Sequence, residues 1–209
     1  MKKILFVLMA CVLSFVTVQA QDAELQQKAL ELFKNTQTVE AKAKMTKHNT
    51  MVTKDVVSEG KLYFKRPNKL CMTFNNGADA LIMNGETFTM VTNGKAQSVS
   101  GKGNGQFDAL KGIAQSLSQG GEAEFDLSDV ADVDIERKGN LMVMTIVPIV
   151  ADAKAKRKQL FQSYVITIDT KALELRTLRM NEKGQNYTQY DFSGYKLNGP
   201  IDDKVFSVK

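Results

Sequence analysis

The chain has 209 residues, 43% hydrophobic and 24% charged, with 14 Gly, 3 Pro and no Trp, a composition that fits one globular domain and excludes a disordered or collagen-like chain. Its formal net charge of +5 is too small a surplus over this length to indicate nucleic-acid binding without a clustered basic stripe. Cys11, Cys71 and His48 are the only residues of their types, too few for a Cys/His zinc site and poor material for a His-dependent triad; no metal, no cofactor and no enzymatic chemistry are expected.

The first twenty residues read as an export signal. Lys2 and Lys3 precede an apolar run from Ile4 to Val18, and Val18-Gln19-Ala20 offers a cleavage site before Gln21. The run is short for a bilayer span. The expected domains are therefore a signal peptide over 1–20 and one domain over 21–209. A competing reading takes Leu8-Met9-Ala10-Cys11 as a lipidation site, but the apolar run continues beyond Cys11 to Val18 where a polar tether would be needed. Cleavage at Ala20 leaves Cys71 as the only thiol, with no disulfide possible, and the strand pattern around it points to burial.

Residues 22–34 place Leu25, Ala29, Leu32 and Phe33 on one helical face, predicting an amphipathic N-terminal helix. The period then changes to two. Val39, Ala41, Ala43 and Met45 alternate with Glu40, Lys42, Lys44 and Thr46, a half-buried strand with one wet face on which His48 reads as a solvated surface residue. Leu62 and Phe64 continue the pattern until Arg66-Pro67 ends the strand; Leu70, Met72 and Phe74 share the next face, and 79–83 forms another strand. Asn84-Gly85 and Asn93-Gly94 are tight-hairpin pairs. An antiparallel meander follows, since nothing supplies the crossover helix of a βαβ unit.

Gly101 to Gly105 breaks the sheet, and Phe107, Leu110, Ala114 and Leu117 recur at helical spacing over 106–119, before Gly120-Gly121. Asp126, Asp129, Asp132 and Asp134 lack the glycine and the closing Glu of an EF-hand loop and read as a wet acidic segment. Strands resume at 133–138, 141–150 (apolar on both faces), 161–169, 173–180 and 187–195, and Lys204 to Val208 is expected to close the chain as a strand. About ten or eleven strands with two helices should curl towards a barrel. The one basic cluster, Lys154, Lys156, Arg157 and Lys158, lies between two apolar strands; it reads either as a solvated loop or as a contact for an acidic partner or anionic lipid headgroups.

The run Gly60 to Asn68, GKLYFKRPN, resembles the strand-turn signature of the periplasmic outer-membrane lipoprotein carrier family, LolA. The likeness extends through ADALIMNGETFTMV at 78–91, the Gly-rich loop with its helix and the closing DDKVFSV. What it implies is an α+β, mainly β fold: a strongly bent antiparallel sheet forming an incomplete β-barrel with a helical lid. It further implies a monomeric periplasmic carrier, taking the acyl chains of lipoproteins or a related lipid from an inner-membrane release complex to an outer-membrane acceptor. An envelope sensor of the same fold binding a protein partner is the alternative. On this likeness Arg66 latches the sheet to the lid, while Leu70 and Met72 take positions held by aromatic rings. The acyl-binding residues are then Leu62, Phe64, Leu70, Met72, Phe74, Ile82, Met90, Phe107, Leu110, Leu117, Met142 and Met144, with Lys154, Lys156, Arg157 and Lys158 meeting partner or headgroup. Met72, Met83, Met90, Met142, Met144 and Met180 all fall in predicted strands. On periodicity alone they are ordinary core fillers; with the likeness, they suit a deformable guest.

Overall fold

The computed structural model describes residues 35–85, 87–100, 131–150, 156–157 and 159–208. Strands β1 (Thr38–His48), β2 (Val56–Lys65), β3 (Lys69–Phe74), β4 (Asp79–Asn84), β5 (Thr87–Thr92) and β6 (Lys95–Ser100) follow one another as hairpins. A second meander comprises β7 (Ala131–Lys138), β8 (Leu141–Pro148), β9 (Phe161–Asp169), β10 (Glu174–Glu182) and β11 (Tyr187–Leu197). Antiparallel pairing of β1 with β11 merges the two into one sheet of 11 described strands in the order β6-β5-β4-β3-β2-β1-β11-β10-β9-β8-β7. The sheet is open between β6 and β7.

Alternation of side chains gives this sheet one continuous apolar face. In β1, Val39, Ala41, Ala43 and Met45 are buried while Lys42 and Lys44 are exposed. Tight turns set the register: at Asn93-Gly94 both residues have positive φ (50° and 76°), as a two-residue hairpin turn requires, and Thr92 pairs with Lys95 across it.

The sheet is strongly curved. In its strand order β5 and β9 stand seven places apart, about 34 Å in a flat sheet at about 4.8 Å per strand, yet Met90 of β5 and Phe161 of β9 line the same cavity. Small residues at the centre of the concave face allow this. Ala43 pairs with Gly60, and Gly60 with Phe74; a Cβ on Gly60 would collide with the Thr73 carbonyl oxygen and the Phe74 ring. The Phe74 ring can therefore lie across β2 and reach Tyr190 of β11, with ring centroids 5.4 Å apart. On β1 and β11 a register shift between Glu40 and Lys42 lies beside Gly194, whose φ is +63°, a bulge that bends the paired strands further.

The convex face is covered at one place by the C-terminal segment. Residues 204–208, expected as a strand, contain instead a 3-10 turn over Asp203–Phe206, because the Asp202 side chain accepts a hydrogen bond from the Lys204 N–H (2.9 Å) and caps the turn. Phe206 is 1% exposed and packs with Cys71, Ala80, Ile82 and Val91. Asp203 accepts hydrogen bonds from Lys65 Nζ (2.6 Å) and Lys69 Nζ (3.0 Å), tying the turn to the β2–β3 hairpin. The run 141–150 is apolar on both faces, as expected, but buries one of them: Met142, Met144 and Ile146 are buried, while Leu141, Val147 and Ile149 are exposed. The helices expected over 22–34 and 106–119, with the lid they imply, lie outside the described residues.

Cys71 sits under this C-terminal segment, and burial pushes its thiol up to about 11. Labelling of the folded protein at pH 8 should therefore be slow. Phe206→Ala should destabilise the fold by about 3–5 kcal/mol and accelerate labelling by a bulky maleimide; an unchanged rate would show that Phe206 does not shield the thiol.

Candidate functional site

The concave face collects most of the residues expected to bind a guest. Leu62 and Phe64 of β2, Leu70, Met72 and Phe74 of β3, Met90 of β5, and Met142 and Met144 of β8 all join one apolar cluster. Cross-strand pairs such as Leu62 with Met72 and Phe64 with Leu70 place them on the same side. Ile82 is a correction. It pairs with Cys71 and belongs to the convex cluster under Phe206, while its neighbours Leu81 and Met83 pair with Met72 and Leu70 and point inward. Strand parity decides the matter, since a shift of one residue moves a side chain to the other face. Phe107, Leu110 and Leu117 lie outside the described residues.

A cavity of about 320 Å³ opens at one rim of the concave face, where Met45, Phe74, Leu81, Met90, Phe161, Met180 and Tyr190 supply the apolar wall. This volume is at the low end of small-molecule sites. Of the expected guest-binding residues, Phe74 and Met90 reach this cavity; Leu62, Phe64, Met72, Met142 and Met144 are packed in the cluster beyond it. Met45, Leu81, Phe161 and Tyr190 are lining residues that the sequence reading left out of the site, while Met180 stands among the methionines that it suited to a guest. Parity with Ala43, Met83 and Phe192 on the same strands was the available signal for Met45, Leu81 and Tyr190; Phe161 lies across a register shift from the inward series of β9.

Each inward-facing series ends in a polar residue where its strand reaches this rim. After Met45 comes Lys47, before Leu81 comes Asp79, after Met180 comes Glu182, and before Tyr190 comes Thr188; all four line the cavity. The wall is therefore apolar and its mouth carries a charged collar. Asp79, 6% exposed, accepts hydrogen bonds from Lys47 Nζ (3.0 Å), Asn75 Nδ2 (2.7 Å) and the Asn93 backbone N–H (3.4 Å). Burial pushes its carboxyl up, but the bonds from Lys47 and Asn75, the Lys47 charge and the Asn93 N–H outweigh this and hold it below the usual carboxylate range. Burial, assisted by the Asp79 and Glu182 charges, pushes the Tyr190 phenol well up, so Tyr190 presents a neutral ring to the cavity.

Arg66 ends β2 at the opposite rim. Its backbone N–H donates to the Gln37 carbonyl oxygen (2.9 Å), its Nε is buried, and the segment that it would latch lies outside the described residues. Lys156 and Arg157 are exposed between β8 and β9 on the cavity side, and their carbonyl oxygens accept hydrogen bonds from Lys183 Nζ (3.4 and 2.6 Å); Lys154 and Lys158 are outside the described residues. His48 is more constrained than a solvated residue, with Nδ1 2.7 Å from Asp55 Oδ1 and its ring stacked on Tyr187 at 4.8 Å. Asp132 and Asp134 stand exposed in β7 rather than in a loop. Among the described residues no three His, Cys, Asp or Glu side chains gather as metal ligands, and no helix is long and apolar enough to cross a membrane.

A family described as outer membrane lipoprotein carrier protein LolA matches residues 34–209. The chain belongs to the LolA family. No functionally curated protein matches it. Among solved structures, a DUF1329 family protein from Desulfovibrio piger is 12% identical, with 88% of this chain and 95% of that one covered and a TM-score of 0.46. A LolA superfamily protein from Nitrosomonas europaea is also 12% identical, with 91% and 98% covered and a TM-score of 0.39. For a putative outer membrane lipoprotein-sorting protein domain from Vibrio parahaemolyticus the identity is 10%, the coverage 88% and 94%, and the TM-score 0.43. Likenesses this distant add nothing to the assignment, which rests on the family match. Within this LolA-family chain, the concave face of the open sheet carries the candidate site.

The collar has a pH signature. The ionised Asp79 carboxylate favours the folded state above the ordinary carboxylate value of about 4, and that contribution is lost as pH falls through the lowered folded-state value. Asp79→Asn should lower stability at pH 7 by about 1–3 kcal/mol and flatten the loss of stability below about pH 4. Denaturant titrations of both proteins between pH 7 and pH 3 measure this; parallel pH profiles would show that the collar does not hold Asp79 in its ionised form.

Proposed function

We propose that this protein is a periplasmic carrier that buries the acyl chains of lipoproteins, or of a related lipid, in the concave cavity and moves them from the inner towards the outer membrane. The observation that carries this reading is the apolar cavity inside an unclosed sheet, walled by Met45, Met90 and Met180 together with aromatic rings. A wall of this kind suits a guest without fixed shape, since methionine adapts three rotatable bonds to irregular surfaces. An unclosed sheet can accept a chain that a sealed barrel could not.

The energetics favour a dedicated carrier. At about 0.8 kcal/mol per methylene, exposing one long acyl chain to water costs on the order of 10 kcal/mol, and a lipoprotein carries more than one. Cleavage after Ala20 would release residues 21–209 as a single exported domain, acting as a monomer without cofactor or catalytic step. The described thiol, Cys71, is buried on the convex face and His48 pairs with Asp55; neither lines the cavity. Arg66, at the far rim, is proposed to hold a covering segment that must yield when the guest enters. An inner-membrane release complex would serve as donor and an outer-membrane protein as acceptor, with Lys156 and Arg157 available for such contacts.

Native mass spectrometry of the protein isolated from the periplasm should show a co-purified lipid or acylated species. Met90→Asp places a charge on the wall and should cut lipid occupancy at least tenfold with the fold intact, because an unpaired charge is strongly disfavoured there. Arg66→Leu should load at the wild-type level but transfer poorly to acceptor membranes. A lipid-free wild type that neither extracts labelled lipid nor loses any bound species with Met90→Asp would overturn the carrier reading, and a bound peptide in its place would favour a sensor of protein partners.

A further inference from the structure

The rim on which the cavity opens is built from three segments that the fold brings together. Residues 49–55 join β1 to β2, residues 183–186 join β10 to β11, and the third segment comprises the described residues 156, 157, 159 and 160 before β9. The Thr50 N–H donates to Asn186 Oδ1 (2.9 Å) and its hydroxyl to the Gly184 carbonyl (3.3 Å), while Lys183 Nζ donates to the carbonyls of Arg157 and Lys156. The three segments are thereby tied into one surface.

The first of them is ordered from within as well. The Met51 N–H donates to the Asn49 side chain (2.9 Å) and the Val52 N–H to the Asn49 carbonyl (3.0 Å), and the His48–Asp55 contact closes the base of the loop. All of this organisation holds an apolar tip in water: Met51 is 90% exposed and Val52 53% exposed. Val56 and Val57 continue the exposed apolar surface at the start of β2, and Leu160, 46% exposed, adds to it while also lining the cavity. Scattered exposed hydrophobes are ordinary, but these lie on segments bound to one another at a single rim, and apolar exposure gathered in one region marks an interaction site.

The charges around the tip select the partner. Lys54, Lys156, Arg157 and Lys183 are exposed on the same three segments, whereas the rim acids Asp55, Asp79 and Glu182 are engaged by His48, Lys47 and Thr188. An apolar tip bordered by exposed cations matches the boundary of an anionic bilayer, where acyl chains lie just below a layer of phosphates.

We propose that this rim docks on the surface of an anionic lipid bilayer, with Met51 and Val52 entering the boundary between headgroups and acyl chains and the four cations meeting lipid phosphates. Docked in this way, the protein sets the mouth of its cavity against the leaflet. This surface meets the guest site at Leu160 and does not depend on what the cavity holds.

The test is co-sedimentation of the exported protein with vesicles of phosphatidylcholine alone and of phosphatidylcholine mixed with phosphatidylglycerol. Binding should be several-fold stronger to the anionic vesicles and should weaken as salt is raised from 0.1 M towards 1 M, where screening shortens from about 10 Å to about 3 Å. The double variant Met51→Asp/Val52→Asp should lose at least tenfold in affinity for anionic vesicles, and Lys54→Glu/Arg157→Glu should lose the preference for them. Both changes fall on exposed side chains, so thermal unfolding should stay cooperative. Absence of wild-type binding to anionic vesicles would overturn the proposal and leave the tip to a protein partner. Wild-type binding by Met51→Asp/Val52→Asp would overturn it as well. Lipid occupancy measured by native mass spectrometry is read separately, so failure of bilayer docking and failure of the carrier reading remain distinguishable.

Discussion

The structure depends on one steric constraint: the centre of the concave face must be empty enough for a large open sheet to fold over itself. Gly60, with Ala41 and Ala43 on the adjoining strand, supplies that space, and the Phe74 ring fills it by lying across β2 towards Tyr190. A larger side chain at position 60 would hold Phe74 and Tyr190 apart, and strands as distant in the sheet as β5 and β9 could not wall one cavity. The bulge at Gly194 adds bend on the other side of the same central strands. Among the described residues, curvature turns the apolar face of the sheet onto itself.

From that curvature follows the division between core and cavity. Deep in the fold, Leu62, Phe64, Met142 and Met144 pack against one another as an ordinary interior. Towards one rim the walls diverge, and each inward series passes from apolar to polar within one step of the alternation. Lys47, Asp79, Glu182 and Thr188 therefore form a collar because they occupy the same height on neighbouring or facing strands, even though they are far apart along the chain. Their mutual bonding lets charged groups border an apolar cavity without leaving a buried charge unpaired.

The two rims of the sheet are built differently. At the cavity rim, loops with exposed apolar and basic side chains are tied to one another. At the other rim, Arg66 closes β2, and next to it Lys65 and Lys69 hold the C-terminal turn through Asp203, whose carboxyl lies below its ordinary range because of those two hydrogen bonds. That turn carries Phe206 onto Cys71, so the part of the convex face most in need of cover is protected by the end of the chain.

The sequence by itself determined what is local. Alternation of Val39, Ala41, Ala43 and Met45 marks a strand with one wet face, Asn93-Gly94 marks a hairpin, and the run Gly60 to Asn68 marks the family, because strand parity, turn conformation and a short motif are all encoded within a few neighbouring residues. It could not separate Ile82 from Leu81, since both are apolar in an all-apolar run and only pairing with Cys71 and Met72 shows which face each takes. The final segment read as a strand because Val205, Phe206 and Val208 are residues that favour strands, until the Asp202 cap and the burial of Phe206 settled it as a turn. Tertiary structure alone decided the cavity, its collar and the joined loops at its mouth. The cavity and its collar depend on the curl that brings β5 to face β9, and the joined loops on the pairing of β1 with β11 that sets Thr50 beside Asn186; the free volume and crowding that produce a curl belong to the whole sheet rather than to any one stretch of chain.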